Sequence, residues 1–357
     1  MSIAVEVLTA IADVDRDAYL RLQRASAASA FYDPRFLAGV ERLPLLPADK
    51  TYYLVARDGP RLVGFLPAYL QSPVVVDPFG VLGKTTSARF APEARGLFSH
   101  VMHCYDSTIL CDGGPPVLEA LLAGLAALGR EQGAEHFLIM NVAEGRLLGW
   151  ARQLHFEVSY MVDRFSMELA GVGDFDALVG RLPADGRHEM RRQLRKFAAS
   201  DARAVVETAP FARLEEVAEL CHLTTARKGT PQYRPPAPLA ALVRSCGDMI
   251  RLVSVYVGAA RVAGLICIDD GPVLHLWLGG VTYEGVGFSP YTVGIAEAYR
   301  YALARGKRRI EVGRLNARIK HRLGLSPQPL YAIVSPNLLT GTPRHLPVPS
   351  PVRGARV

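Results

Sequence analysis

The sequence predicts an α+β fold of two tandem copies of one unit, each a mixed, mostly antiparallel sheet flanked by helices, with a cleft between the copies. Three repeated features point to it. A strand pair reading Tyr52-Tyr53-Leu54-Val55-Ala56 and then Gly59-Pro60-Arg61-Leu62-Val63-Gly64-Phe65 recurs as Leu252 to Val257 and then Gly258 to Leu265. Apolar runs broken by glycine at this spacing form β-hairpins. Each hairpin is followed by a helix entered through proline and closed by glycine, Pro116 to Gly129 or Gly133 and Pro290 to Gly306. Proline has no N–H to lose in a first turn, and glycine suits the left-handed exit. Each helix leads to an apolar strand, His136-Phe137-Leu138-Ile139-Met140 and Arg309-Ile310-Glu311-Val312. Ligand sites favour the space between such units, so chemistry is expected there.

In chain order, residues 1–50 read as mostly helical, with Asp33-Pro34 opening a short helix through Glu41. A Gly-, Pro- and Ser-rich stretch from about 71 to 115 interrupts the first copy. Long insertions tend to bind ligands, which nominates His103, Tyr105 and Asp106, although an ordinary surface excursion fits equally well. Leu118, Leu121, Leu122 and Leu125 form a helical stripe that packs on a sheet. A strand from Phe165 to Leu169 completes the first unit, and Asp174 caps the helix beginning at Phe175. The expected domains are therefore 1–170 and 171–336, with residues 337–357 a flexible Pro-rich tail.

The length of 357 residues accommodates two substantial cores. No apolar run approaches a membrane span, and the start lacks the pattern of a signal peptide, so a cytoplasmic location is expected. Five cysteines without C-x-x-C spacing, and nine histidines without an H-E-x-x-H pair, give no sign of disulfides or of a bound metal. Net charge is +7, carried by 35 arginines and only six lysines. That balance biases the chain toward polyanionic partners such as RNA or nucleotide cofactors, because arginine is the better phosphate fork.

Between the copies lies a basic helix, Gly186 to Phe197. Met190, Leu194 and Phe197 share one face; Arg187, Arg191 and Arg195 stack on another, flanked by Arg192 and Lys196. Like charges four apart oppose the helix unless something anionic meets them, and only Glu189 lies within the segment. The alternative is a solvated face paired with nearby acids. Arg227 and Lys228, then Arg234, form a second cluster; if both face one cleft, they suit a phosphate backbone.

Further on, His275 and Trp277 face the same side of a strand that meets Gly279 and Gly280, where a backbone or ligand can approach closely. As a lone aromatic pair such residues are more often core than site. The stretch Arg314-Leu315-Asn316-Ala317-Arg318-Ile319-Lys320-His321-Arg322-Leu323-Gly324 leaves the strand ending Val312-Gly313, a common place for chemistry.

The duplicated unit, the Phe36-to-Glu41 helix, the arginine-rich helix, Leu278-Gly279-Gly280, Ser289-Pro290, Gly306 and Glu311-Val312-Gly313 followed by Lys320-x-x-x-Gly324 resemble the tandem GNAT-fold FemABX-like transferases. The resemblance covers roughly residues 30 to 335. It implies two tandem GNAT-like domains and transfer of an aminoacyl group from aminoacyl-tRNA to an amine; the sequence departs from the family in having no long coiled-coil arm and no strong motif for a lipid-linked precursor, so a small soluble acceptor is expected. It also implies that Lys320 lies near the reacting carbonyl, where an ammonium stabilises the oxyanion. Tyr283 and Asn316 are neighbours to test, Asp106 is a candidate proton acceptor, and His275, Trp277, Arg314 and Ser289 are candidate substrate contacts. No cofactor beyond the donor itself is implied.

GNAT enzymes that use acyl-CoA usually carry a Q/R-x-x-G-x-G/A loop whose N–H groups cradle pyrophosphate. Here the stretch is Tyr283-Glu284-Gly285-Val286-Gly287-Phe288-Ser289-Pro290, without the leading Arg or Gln. An acyl-CoA donor on the same fold is the first alternative, and a non-catalytic RNA-binding duplicate the second.

Overall fold

Ile3, Val5 and Val7 pack inward while Ala4 and Glu6 stay exposed, and this period of two makes Ile3–Leu8 a strand, β1. It pairs antiparallel with β2 (Lys50–Asp58), which corrects the mostly helical expectation for residues 1–50. The helical part of that segment is α1 (Arg16–Ala25) and α2 (Pro34–Arg42), with two short 3-10 turns; Asp33 caps α2 through its carboxylate as the Asp33-Pro34 pair suggested.

The computed structural model describes residues 3–77, 79–99 and 104–340. The chain divides into two compact units, the first running to Val162 and taking up the chain again from Pro329, the second running from Asp163 to Gln328. The division thus falls eight residues before the expected 170, and the last strand returns to the first unit.

In the first unit β2 and β3 (Arg61–Gln71) form the first hairpin. Short helices α3 (Pro73–Val76) and α4 (Val81–Thr85) precede β4 (Gly96–Ser99) and β5 (Leu110–Cys111). The expected interruption therefore contains a sheet strand: β4 pairs antiparallel with β3 and parallel with β6 (His136–Val142). Its four residues carry too little pattern to show in sequence, and burial between two neighbours makes it a strand. From Pro329 on, β13 (Ser326–Val334) adds antiparallel to β6. Helix α5 (Pro115–Glu131) lays Leu118, Leu121, Leu122 and Leu125, all fully buried, against this sheet. Four such side chains contribute about 6–12 kcal/mol, so packing holds the helix in place. Helix α6 (Gly145–Gln153) follows, and β7 (Glu157–Glu168) carries the chain into the second unit. Leu338 packs near Gly129 of α5, and the Pro-rich segment beyond 340 lies outside the described residues.

The second unit repeats the plan. Helices α7 (Phe175–Arg181) and α8 (Ala184–Ala198) lead to β8 (Ala202–Glu207), α9 (Leu214–Ala226) and α10 (Pro236–Cys246). The second hairpin, β9 (Ile250–Val257) with β10 (Ala260–Asp270), is followed by β11 (Val273–Val281), α11 (Pro290–Ala304), β12 (Arg309–Arg314) and α12 (Ala317–Arg322). The order is β8-β9-β10-β11-β12 and then β7, antiparallel except for the parallel pair β11–β12. Asp174 caps α7 with its carboxylate, as expected. Two glycines fix the packing. A Cβ on Gly280 would sit 2.0 Å from the Leu220 carbonyl carbon, so α9 runs directly over β11. One on Gly186 would sit 1.7 Å from the Arg322 carbonyl oxygen, so α8 lies against α12. Among the described residues no helix is long and apolar enough to cross a membrane.

Candidate active site at the ends of a parallel strand pair

β11 and β12 pair over three positions, ending at His275 opposite Glu311, although β11 continues to Val281 and β12 to Arg314. Beyond that point the two strands part, and cations hold their carboxyl ends. On β11, Arg234 donates to the Gly279 carbonyl at 3.3 Å and Arg227 to that of Val281 at 2.6 Å. On β12, the Lys320 ammonium donates to the carbonyls of Gly313 at 2.8 Å and Arg314 at 2.6 Å. Gly313, Leu315 and Asn316 all have positive φ, 63°, 65° and 57°. For leucine and asparagine this conformation is strained, and Lys320 is the group that ties the segment down. Lys320 is 3% exposed and lies 5.0 Å from the Phe165 ring centre. Burial first, then the charges of Arg314 and Lys228, push its pKa down to about 7.

The amino end of α11 is already occupied. The Ser289 N–H donates to the Gln193 side chain at 2.7 Å, the Thr292 N–H donates to Ser289 Oγ at 3.3 Å, and Pro290 has no N–H. Gln193, 5% exposed, in turn donates to Glu189 at 2.7 Å. Glu189 also accepts from Arg192 at 2.8 Å, and hydrogen bonds from Arg192 and Gln193 push its pKa down to about 2. Beside this relay is a shallow cavity of about 160 Å³ lined by Tyr283, Ser289, Glu189, Ile319 and Arg322 among others.

The sequence candidates fall into separate groups. Tyr283 and Ser289 meet at that cavity. Of the α8 cations, Arg192 is paired with Glu189, Arg187 donates to the Gly180 carbonyl and Lys196 to that of Gly287. Arg191 and Arg195 are exposed and have no partner among the described residues. Arg314 and Asn316 are exposed at the end of β12, whereas Arg227 and Lys228 follow α9. His275 and Trp277 are 2% and 5% exposed, with His275 3.3 Å from Asp270, so both side chains are interior to the second unit. Asp106 belongs to the first unit and is half-buried, its N–H on Cys104 Sγ; Tyr105 is buried there, and His103 lies outside the described residues. Gln193 escaped the sequence reading. The signal was a polar residue on the inward face of α8 defined by Met190 and Phe197. Among the described residues no group of three His, Cys, Asp or Glu side chains could hold a metal.

Residues 184–321 match the family described as Acetyltransferase (GNAT) domain. Comparison with curated proteins by sequence gives no match. Among solved structures the chain is similar to FemX at 12% identity and a TM-score of 0.62, over 92% of this chain and 96% of that one. It is similar to a tandem GNAT protein from the clavulanic acid biosynthesis pathway at 14% identity and a TM-score of 0.57, over 94% and 98%. It is similar to the C-terminal domain of a putative lysylphosphatidylglycerol synthetase from Agrobacterium fabrum at 10% identity and a TM-score of 0.57, over 91% and 92%. At these identities the likeness is one of fold: the chain has the α+β architecture of two tandem GNAT-like units, and the segment that matches the family lies wholly in the second.

Proposed function

We propose that this protein is a GNAT-fold acyltransferase that moves an acyl or aminoacyl group from tRNA to the amine of a small acceptor, forming an amide. The observation that carries the choice of donor is the filled amino end of α11. Gln193 and Ser289 Oγ take two of its first amides and Pro290 lacks a third, so little is left to cradle the pyrophosphate of CoA. Arg191 and Arg195, by contrast, stand exposed on α8, the helix that helps to line the cavity at Tyr283. Cations four residues apart on one helix face suit a phosphate backbone.

The ester on tRNA is already activated, so orientation and oxyanion stabilisation are what the protein must supply. The acceptor nitrogen adds to the ester carbonyl, the carbon–oxygen bond to the ribose breaks, and the proton lost by nitrogen ends on the departing ribose hydroxyl. Lys320, with two of its three N–H groups on carbonyls, offers the third and its charge to the oxyanion. An acyl-CoA donor is the second reading, favoured by the acetyltransferase description of the matching family.

The test is binding of deacylated tRNA and of CoA to the wild type and to an Arg191→Ala/Arg195→Ala variant at several salt concentrations. Salt-sensitive tRNA binding is expected, with the log–log slope shallower by about 2 in the variant. Saturable CoA binding, together with tRNA binding indifferent to the two substitutions, overturns the tRNA donor in favour of acyl-CoA.

A further inference from the structure

Four cations of the second unit gather where β11 and β12 part, and no carboxylate pairs with them among the described residues. Arg234 and Lys320 donate to backbone carbonyls at the two strand ends, and Arg227 donates to those of Val281 at the end of β11 and of Leu223 in α9. The Lys228 side chain makes no hydrogen bond among the described residues. It lies near enough to both neighbours for mutual repulsion to register: Arg234 helps to lower its pKa, and Lys228 helps to lower that of Lys320. Arg234 is itself depressed by burial. Clustered, partly desolvated cations are costly without a counterion, and a protein that keeps them at the carboxyl ends of a parallel pair keeps them where ligands bind.

The shape of the cluster selects the ligand. Lys320 is 3% exposed and Arg234 half-buried, so a compact terminal group reaches them more readily than a polymer backbone lying on an exposed helix face. Arg234 commits one Nη to Gly279 and keeps donors for a planar partner, which a carboxylate matches well. We propose that the gap between the ends of β11 and β12 is an oxyanion site in which Lys228 and Arg234 hold a carboxylate of the acceptor amine, beside Lys320, whose remaining N–H is left for the reacting carbonyl. The acceptor is then an amino acid or a peptide-like amine. This rests on the transferase reading for the word acceptor, while the site itself can be tested without tRNA.

Carbon-13 lysine NMR of the full chain follows Lys320 directly, since only six lysines are present. Its titration is recorded in chloride, in acetate and in methyl phosphate at constant ionic strength, for the wild type and for Lys228→Met, a substitution at an exposed position. Acetate is expected to raise the Lys320 midpoint by about one pH unit over chloride, and the rise to shrink in Lys228→Met. A midpoint indifferent to acetate overturns the site, as does an acetate effect that survives Lys228→Met unchanged. A larger rise in methyl phosphate than in acetate reassigns the site to a phosphate monoester and overturns the carboxylate. Failure of tRNA binding alters none of these readings, so the two proposals fall separately.

Discussion

The two units share a frame and differ at the ends of their parallel strands. In the first unit, the described residues beyond β4 and around the end of β6 are joined by hydrogen bonds among Asn141, Thr108, Glu144, Tyr32 and the backbone. Asn141, at φ 62°, donates to the Cys104 carbonyl at 3.0 Å, and its own carbonyl accepts from the Ser107 N–H at 3.1 Å. Thr108 donates to Glu144, and the Tyr32 hydroxyl both donates to and accepts from the Thr108 backbone. In the second unit, the ends of β11 and β12 are held instead by Arg227, Arg234 and Lys320. Helix entrances differ in the same sense: α5 begins with two prolines, whereas α11 begins with a serine cap backed by Gln193. One scaffold thus supports two differently held strand ends, only one of them tied down by cations among the described residues.

The largest effect expected from breaking this comparison is steric. An alanine at Gly280 puts its Cβ against the α9 backbone, which has no rotamer to yield, so Gly280→Ala is expected to cost about 3 kcal/mol or more. Gly64 in the first unit faces only side chains, Val117 Cγ1 at 2.7 Å and Leu121 Cδ1 at 2.9 Å, and Gly64→Ala is expected to cost about 1 kcal/mol. Urea unfolding of both variants measures the difference; equal costs contradict the claim that the helix over the second sheet is seated by backbone contact.

A smaller effect separates the two ends by pH. The folded-state pKa of Lys320, about 7, is below its unfolded value, so between the two the unfolded chain holds more protons and stability rises with pH. Below about pH 7 both states are protonated and the burial cost is constant. Above it the slope approaches about 1.4 kcal/mol per pH unit, giving about 2 kcal/mol by pH 8.5, where buried thiols begin to oppose it. Thermal unfolding across this range is expected to rise in the wild type and to flatten in Lys320→Met. A slope that persists in the variant assigns the titration elsewhere, with Lys228 the next group to remove, since its pKa is also lowered.

Much of the frame was legible because its signals are local. Both hairpins, the α5 leucine stripe, the Asp33, Asp174 and Ser289 caps and the α8 face follow from periodicity and turn chemistry. β4 and β1 were hidden for different reasons. β4 is four residues long and owes its state to its neighbours, whereas β1 carried a clear period of two that the helical segments after it obscured. At the site, the cation-rich segments were visible as composition. What composition does not encode is which atoms they reach, and so the carbonyl partners of Lys320 and Arg234 did not follow from spacing.

The smallest expected effect concerns Gln193. Truncating it frees the Ser289 amide and leaves Glu189 with one donor fewer, which removes one hydrogen bond between α8 and the start of α11 and one within α8. Gln193→Ala is therefore expected to lose about 1–2 kcal/mol of stability in urea unfolding. It is also expected to give the amino end of α11 a measurable affinity for CoA or pyrophosphate, because an unsatisfied amide at a helix start is an anion donor. Calorimetric titration reads that gain against a wild type expected to show none. If wild type and variant bind CoA equally, Gln193 does not close the helix end, and the contrast between a filled α11 and an open α8 no longer argues for tRNA as the donor.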